Sequence, residues 1–185
     1  MGLEQERARL RALLLERSVR FGNFTLASGQ TSNYYIDCRL TTMSAEGQVL
    51  IGKLGLAAIR GAGWTPNAVG GLTMGADPVA YAIAAASFGS RPIVDAFSVR
   101  KNPKEHGTGR LIEGNFSPGS MVVVVEDVIT SGGSALRAVD AARDQGGEVL
   151  GVLAVVDRQE EGRGRIEAAG VPVVVLETAE GLGVR

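Results

Sequence analysis

The residues that could do chemistry gather first in one window, MVVVVEDVITSGGSALRAV, from Met121 to Val139. An apolar run leads into two acids, Glu126 and Asp127, then Val128 and Ile129, then Thr130-Ser131-Gly132-Gly133-Ser134, then a helical pattern. Gly132 and Gly133 let backbone N–H groups turn toward one point, and the hydroxyls of Thr130, Ser131 and Ser134 add donors. A helix N-terminus behind them supplies the positive end of its dipole. This is a cradle for an anion. Two carboxylates directly before a phosphate site would repel the phosphate. They make sense as acceptors for hydroxyl groups, as on a ribose, or as neighbours of a bound Mg²⁺. The combination suits a sugar phosphate, with the diol at one end and the phosphate at the other. No Gly-Lys-Ser/Thr follows, so this is not a Walker loop, and no G-x-G-x-x-G pattern is present.

A second cluster runs RKNPKEHGTGR, Arg100 to Arg110, with four cations against one carboxylate and the chain's single histidine, His106. The chain carries 16 Arg but only 3 Lys, and two of those, Lys101 and Lys104, fall here. Lys is a compact charge on a flexible stem, suited to following a polyphosphate. Gly107, Thr108 and Gly109 predict a mobile lid. A charge run in isolation is more often a solvated surface loop; next to an anion cradle the functional reading gains weight.

The elements that must position these clusters alternate in type. Leu3, Leu10, Leu13 and Leu14 at helical spacing predict a first helix, and about Ser44 to Arg60 a second. Strands are predicted at Ala68–Gly70, Ile93–Val99, Met121–Glu126, Val149–Asp157 and Val171–Leu176, with helices at Pro78–Phe88 and Ala135–Asp144. Asp77 reads as an N-cap of one helix and Ser134 as a possible cap of the other. Continuous apolar strands alternating with helices imply a parallel sheet covered on both faces. The expectation is one α/β domain over 1–185, with a mostly parallel five- to six-stranded sheet flanked by helices. A small N-terminal hood, contributed mainly by about 1–45, would cover the C-terminal strand edge.

Composition narrows the classes. A chain of 185 residues with 45% hydrophobic and 21% charged residues is an ordinary globular domain. A net charge of −1 argues against a surface built to grip nucleic acid. The charged N-terminus and the interrupted apolar region Trp64–Ser90 predict no leader and no membrane span, hence a cytoplasmic location. The lone Cys38 excludes an internal disulfide and reads as a buried structural thiol. Twenty-six glycines, about twice the usual share, predict tight loops where backbone approaches something closely.

The strand, two acids, two apolar residues and Thr/Ser/Gly-rich loop resemble the phosphoribosyl-pyrophosphate (PRPP) motif of type I phosphoribosyltransferases. Arg100-Lys101-x-x-Lys104-x-His106-Gly107 resembles the catalytic loop of one subfamily, the orotate phosphoribosyltransferases. Two further segments are similar to that subfamily: Phe21-Gly22-x-Phe24-Thr25-Leu26-x-Ser28-Gly29 followed by Ser32-x-Tyr34-Tyr35, and Asp157-Arg158-Gln159-Glu160-Glu161-Gly162. The resemblance implies a pentosyltransferase of de novo pyrimidine biosynthesis that joins PRPP and orotate into orotidine 5′-monophosphate, releasing diphosphate. It implies that Glu126 and Asp127 hold the ribose hydroxyls, that Val128 and Ile129 belong to the PRPP-binding stretch, and that the loop Thr130, Ser131, Gly132, Gly133 and Ser134 cradles the 5′-phosphate. Arg100, Lys101, Lys104 and His106 would hold the diphosphate, with Lys101, Lys104, His106 and Asp127 catalytic. Thr130, Arg158, Tyr34 and Tyr35 would hold orotate. Mg²⁺ would be held mainly by PRPP rather than by a dedicated protein site. A homodimer is implied, the 100–110 loop reaching the neighbouring site, with no nucleic-acid or membrane partner. The PRPP motif alone would also fit a purine phosphoribosyltransferase or a PRPP-sensing regulator. The chain departs from the family at Ala27 and in the loop Gly71–Ala76, where many members carry Lys.

Overall fold

The computed structural model describes residues 2–25, 31–102 and 111–185. Helix α1 (Leu3–Arg17) leads into the hairpin β1 (Val19–Thr25) and β2 (Thr31–Ile36), which forms its own two-stranded sheet. Helices α2 (Arg39–Thr42) and α3 (Ala45–Gly61) follow, then β3 (Ala68–Leu72), α4 (Ala76–Ser87), β4 (Asp95–Val99) and β5 (Ile112–Gly114). The second half runs β6 (Met121–Ile129), α5 (Gly133–Asp144), β7 (Glu148–Asp157), α6 (Gly162–Ala168) and β8 (Val173–Thr178).

The main sheet has six strands in the order β5-β4-β3-β6-β7-β8. All neighbours are parallel except β4 and β5. The α/β expectation holds. The Val run of β6 shows why. Val123 and Val125 face a core shared with Leu10, Leu13 and Leu14 of α1, with α3 and with α4, while Val122 and Val124 face a second core under α5 and α6. Every residue of β3 is buried, as a strand between two helical layers must be. Among the elements without a clear signal in the sequence, β5 is three residues long and antiparallel at the edge. Too short for any periodicity, it pairs with β4 after the segment that bears the cationic cluster.

Helix α3 begins where the sequence places it, because the Ser44 hydroxyl accepts from the Gly47 N–H at 3.1 Å. Helix α1 is stitched to the far edge of the sheet. Arg7 donates to the Leu176 carbonyl at 2.6 Å, and Arg11 to both oxygens of the buried Glu177. Strand order reverses between β3 and β6, since the chain builds outward from β3 through β4 and from β6 through β7. In an open parallel sheet that reversal leaves a crevice beyond the carboxyl ends of the two strands.

Candidate active site

The crevice holds a cavity of about 310 Å³ between the loop after β3 (Thr73–Gly75), the end of β6 (Glu126–Val128) and the turn from β2 into α2. Lys101, just beyond β4, and Tyr35 of the hairpin also line it. A recess of about 30 Å³ adjoins it, walled by Val128 to Ala135. Glu126, Val128 and Ser134 border both. One end is thus the size of a small anion and the other the size of a larger polar group.

The two acids lie within β6 rather than after it, because the strand continues in register with β7 as far as Ile129 opposite Asp157. Both are buried, Glu126 at 6% exposure and Asp127 at 8%. Burial pushes the Glu126 carboxyl well above the ordinary carboxylate range, and the neighbouring Asp127 charge pushes it further. Burial also raises Asp127, against the opposing effects of the Glu126 hydrogen bond and the Val128 N–H. That N–H donates to Asp127 Oδ1 at 2.9 Å. Gly75 is what lets the opposite loop close in: a Cβ there would stand 2.6 Å from Asp127 Oδ1.

The Thr130–Ser134 loop turns on Gly132, which adopts φ +76° and is itself the N-cap of α5. Ser134 is inside the first turn, so it does not cap. No side chain caps the helix, which leaves its first N–H groups facing the anion-sized recess. The loop is braced from behind. Arg165 of α6 donates to the Ser131 carbonyl at 2.9 Å, and a side chain at Gly132 would stand 2.7 Å from the Gly162 carbonyl oxygen. Gly162 enters the sequence reading only as the last residue of the segment that begins at Asp157, and Arg165 carries no motif signal.

Arg158, which in isolation reads as a surface residue, is only 5% exposed. Its N–H donates to the Ile129 carbonyl at 3.1 Å, which seats it beside the start of the phosphate-type loop at Thr130. The guanidinium lies 5.0 Å from the Tyr34 ring centroid and 3.0 Å from Glu160, and among the described residues its buried Nε has no hydrogen-bond partner. Tyr34 and Tyr35 are placed apart, because successive residues of a strand point to opposite faces. Tyr34 is buried beneath Arg158's cation. Tyr35 is 39% exposed, stacks obliquely on Phe24 at 5.6 Å and lines the cavity.

Of the cationic cluster, Arg100 and Lys101 are described, whereas Lys104 and His106 lie outside the described residues, as does Ala27. The Arg100 backbone N–H donates to the Leu111 carbonyl at 2.9 Å, and its guanidinium is 3.6 Å from Glu113. Lys101 is exposed at the cavity, and its carbonyl accepts from Arg137 of α5 at 2.7 Å. Asp77, expected as an N-cap, stands one residue inside α4, whose cap is Gly75. Its carboxylate accepts from Thr73 at 2.6 Å and Ser98 at 2.7 Å instead, tying the loop after β3 to β4. Among the described residues no group of three or more His, Cys, Asp or Glu is gathered for a metal ion. Cys38 is fully buried at the cavity wall, where burial pushes its thiol up.

Residues 47–174 match the phosphoribosyl transferase domain family. The orotate phosphoribosyltransferase of Aquifex aeolicus is 48% identical over 174 residues, covering 92% of this chain and 94% of that protein. The chain belongs to the orotate phosphoribosyltransferase family. Two solved structures of the Mycobacterium tuberculosis orotate phosphoribosyltransferase agree in fold as well. The complex with Fe(III) dicitrate has a TM-score of 0.85 at 47% identity, covering 96% of this chain and 99% of that one. The complex with PRPP has a TM-score of 0.80 at 39% identity, covering 99% and 93%. Within the orotate phosphoribosyltransferase family, the sugar-phosphate chemistry of the acid pair and the uncapped helix acquires a specific candidate substrate.

Proposed function

We propose that this chain transfers the 5-phosphoribosyl group of PRPP to orotate, giving orotidine 5′-monophosphate and diphosphate. The observation that carries the reading is one juxtaposition: an acid pair between an anion-sized recess and a larger cavity, with buried Arg158 joined through its backbone N–H to Ile129 in the wall of the recess. The 5′-phosphate fits the recess, whose donors are the first N–H groups of α5 and the hydroxyls of Thr130, Ser131 and Ser134. The ribose hydroxyls fit Glu126 and Asp127. The diphosphate extends into the larger cavity toward Lys101, and Arg100, Lys104 and His106 are assigned to it through the family resemblance. Orotate's carboxylate matches Arg158, whose unpaired Nε costs stability until an acceptor arrives.

A ring nitrogen of orotate gives up its proton to the departing diphosphate or to solvent and forms the new bond to the anomeric carbon as the carbon–oxygen bond to diphosphate breaks, the leaving oxygen taking the electron pair. The charge that builds on diphosphate is what the cations stabilise. No covalent nucleophile is required. Mg²⁺ is part of the proposal. Glu126 and Asp127 are two carboxylates, too few for a protein cage, so the ion would be held mainly by substrate oxygens. When bound it would neutralise diphosphate charge. A homodimer in which the 100–110 loop serves the neighbouring site, in the cytoplasm, completes the reading. Exposed Leu40 of α2 and Met43 just after it are apolar surface that a second copy could cover.

The test is direct. Purified protein with PRPP, orotate and Mg²⁺ is expected to form orotidine 5′-monophosphate and diphosphate in equal amounts, and chelation of the metal to stop it. Folded protein that forms neither product would refute the reading.

A further inference from the structure

Among the described residues, the cavity is short of positive charge for the group it is proposed to hold. Its walls carry Asp37, Glu126 and Asp127, against Arg39 and Lys101. The wall formed by Leu72 to Gly75 contains no cation. Among the described residues, Lys101 supplies one wall. Arg39 stands on another, at the first residue of α2, and neither a sequence motif nor the family resemblance gives it a role.

Arg39 is held in a way that suits exchange. Its Nε and Nη2 donate to the two oxygens of Asp37 at 2.8 and 2.9 Å, and its backbone N–H donates to Asp37 Oδ1 at 3.1 Å. Among the described residues Nη1 makes no hydrogen bond, and the side chain is 49% exposed. An exposed ion pair of this kind is barely more stable than its separated, hydrated partners. A guanidinium fork matches two phosphate oxygens as well as it matches a carboxylate, and a diphosphate carries more charge. Position decides which phosphate it would take. Arg39 borders the large cavity with Thr73, Gly75 and Lys101, and it does not border the recess assigned to the 5′-phosphate.

We propose that Arg39 is a substrate-binding residue for the diphosphate group, its fork passing from Asp37 to diphosphate oxygens and supplying the charge that the loop after β3 lacks. This rests on the cavity being the PRPP site. Asp37 is then the resting partner of the fork, competing with diphosphate for it.

The test is calorimetric titration of the full chain at fixed ionic strength and saturating Mg²⁺, with two probes. Inorganic diphosphate reports the subsite; orotidine 5′-monophosphate has the 5′-phosphate, ribose and base but no diphosphate. Arg39→Ala is expected to weaken diphosphate by about tenfold or more, the scale of a lost charge-assisted bond. Orotidine 5′-monophosphate should bind as it does to the parent. Arg39→Lys should fall between, since it keeps the charge without the fork. Asp37→Asn should bind diphosphate no more weakly than the parent, because it removes a competitor and a repulsive charge together. Unchanged diphosphate affinity in Arg39→Ala, or equal loss of both probes, would overturn the inference. A parent protein that binds neither probe would instead bring down the functional reading, and this inference with it.

Discussion

At Glu126 and Asp127 burial works against ionisation, and the consequence is visible in stability. A carboxyl whose folded pKa lies above its unfolded value takes up a proton on folding. Its contribution is complete below the unfolded value, about 4.3 for Glu, and is lost as pH rises through the raised folded value. The ligand-free protein should therefore lose stability from mildly acidic pH upward. Glu126→Gln should flatten that decline, and the difference in Tm between variant and parent should grow with pH. Parallel Tm curves would show that the acid is not titrating in this window. Asp127→Asn removes a buried charge without changing shape, so the fold should survive while PRPP affinity and turnover fall. A large drop in Tm with PRPP affinity intact would assign Asp127 to structure. Arg158 should behave differently from both acids. Arg158→Gln should raise the KM for orotate by about a hundredfold, the scale of removing one partner of a desolvated charge pair. The Kd for PRPP should stay near the parent value, and a matching loss in both would contradict the assignment.

At the scale of elements, the loops are shaped by close approaches that only small residues permit. Gly132→Ala would force a side chain into the left-handed region, at about 1–2 kcal/mol, and against the Gly162 carbonyl oxygen. It should lower Tm by about 5 °C and weaken binding of any 5′-phosphate ligand; an unchanged melt would mean the loop relaxes freely. The apolar strands and amphipathic helices were legible in the sequence because two-sided burial writes itself as runs such as Val122–Val125. The anion cradle was legible because glycine and hydroxyl residues cluster before a helix. What was not legible depends on tertiary neighbours. Ser134 has the side chain of a cap, yet Gly132 holds the cap position because the chain must turn left-handed beside Gly162. Asp77 has the same capping chemistry and spends it on Thr73 and Ser98, which come from other elements. Arg158 has the composition of a surface residue, and its burial follows from Tyr34 arriving on a separate hairpin. Arg39 borders the cavity through a turn that carries no periodic signal at all.

At the scale of the whole molecule, the reversal of strand order between β3 and β6 puts the substrate-sized cavity and the anion recess at one sheet edge. The proposed dimer extends that geometry across two chains. If Lys104 serves the neighbouring site, Lys104→Ala and Asp127→Asn chains, each nearly inactive, should complement on mixing. Random reassortment makes half the dimers mixed, each with one intact composite site, so activity should return toward about a quarter of the parent's. No recovery after verified subunit exchange would place Lys104 in its own subunit's site. The central claim concerns the base, and it rests on Arg158 wanting a carboxylate. The most direct measurement is kcat/KM with saturating PRPP and Mg²⁺ for orotate beside uracil, which lacks only that carboxylate, and beside hypoxanthine. The account predicts turnover of orotate and at least about a hundredfold less with uracil, because uracil offers no carboxylate to the Nε of Arg158, which Glu160 leaves without an acceptor. Equal rates with uracil, or turnover of hypoxanthine in place of orotate, would contradict it.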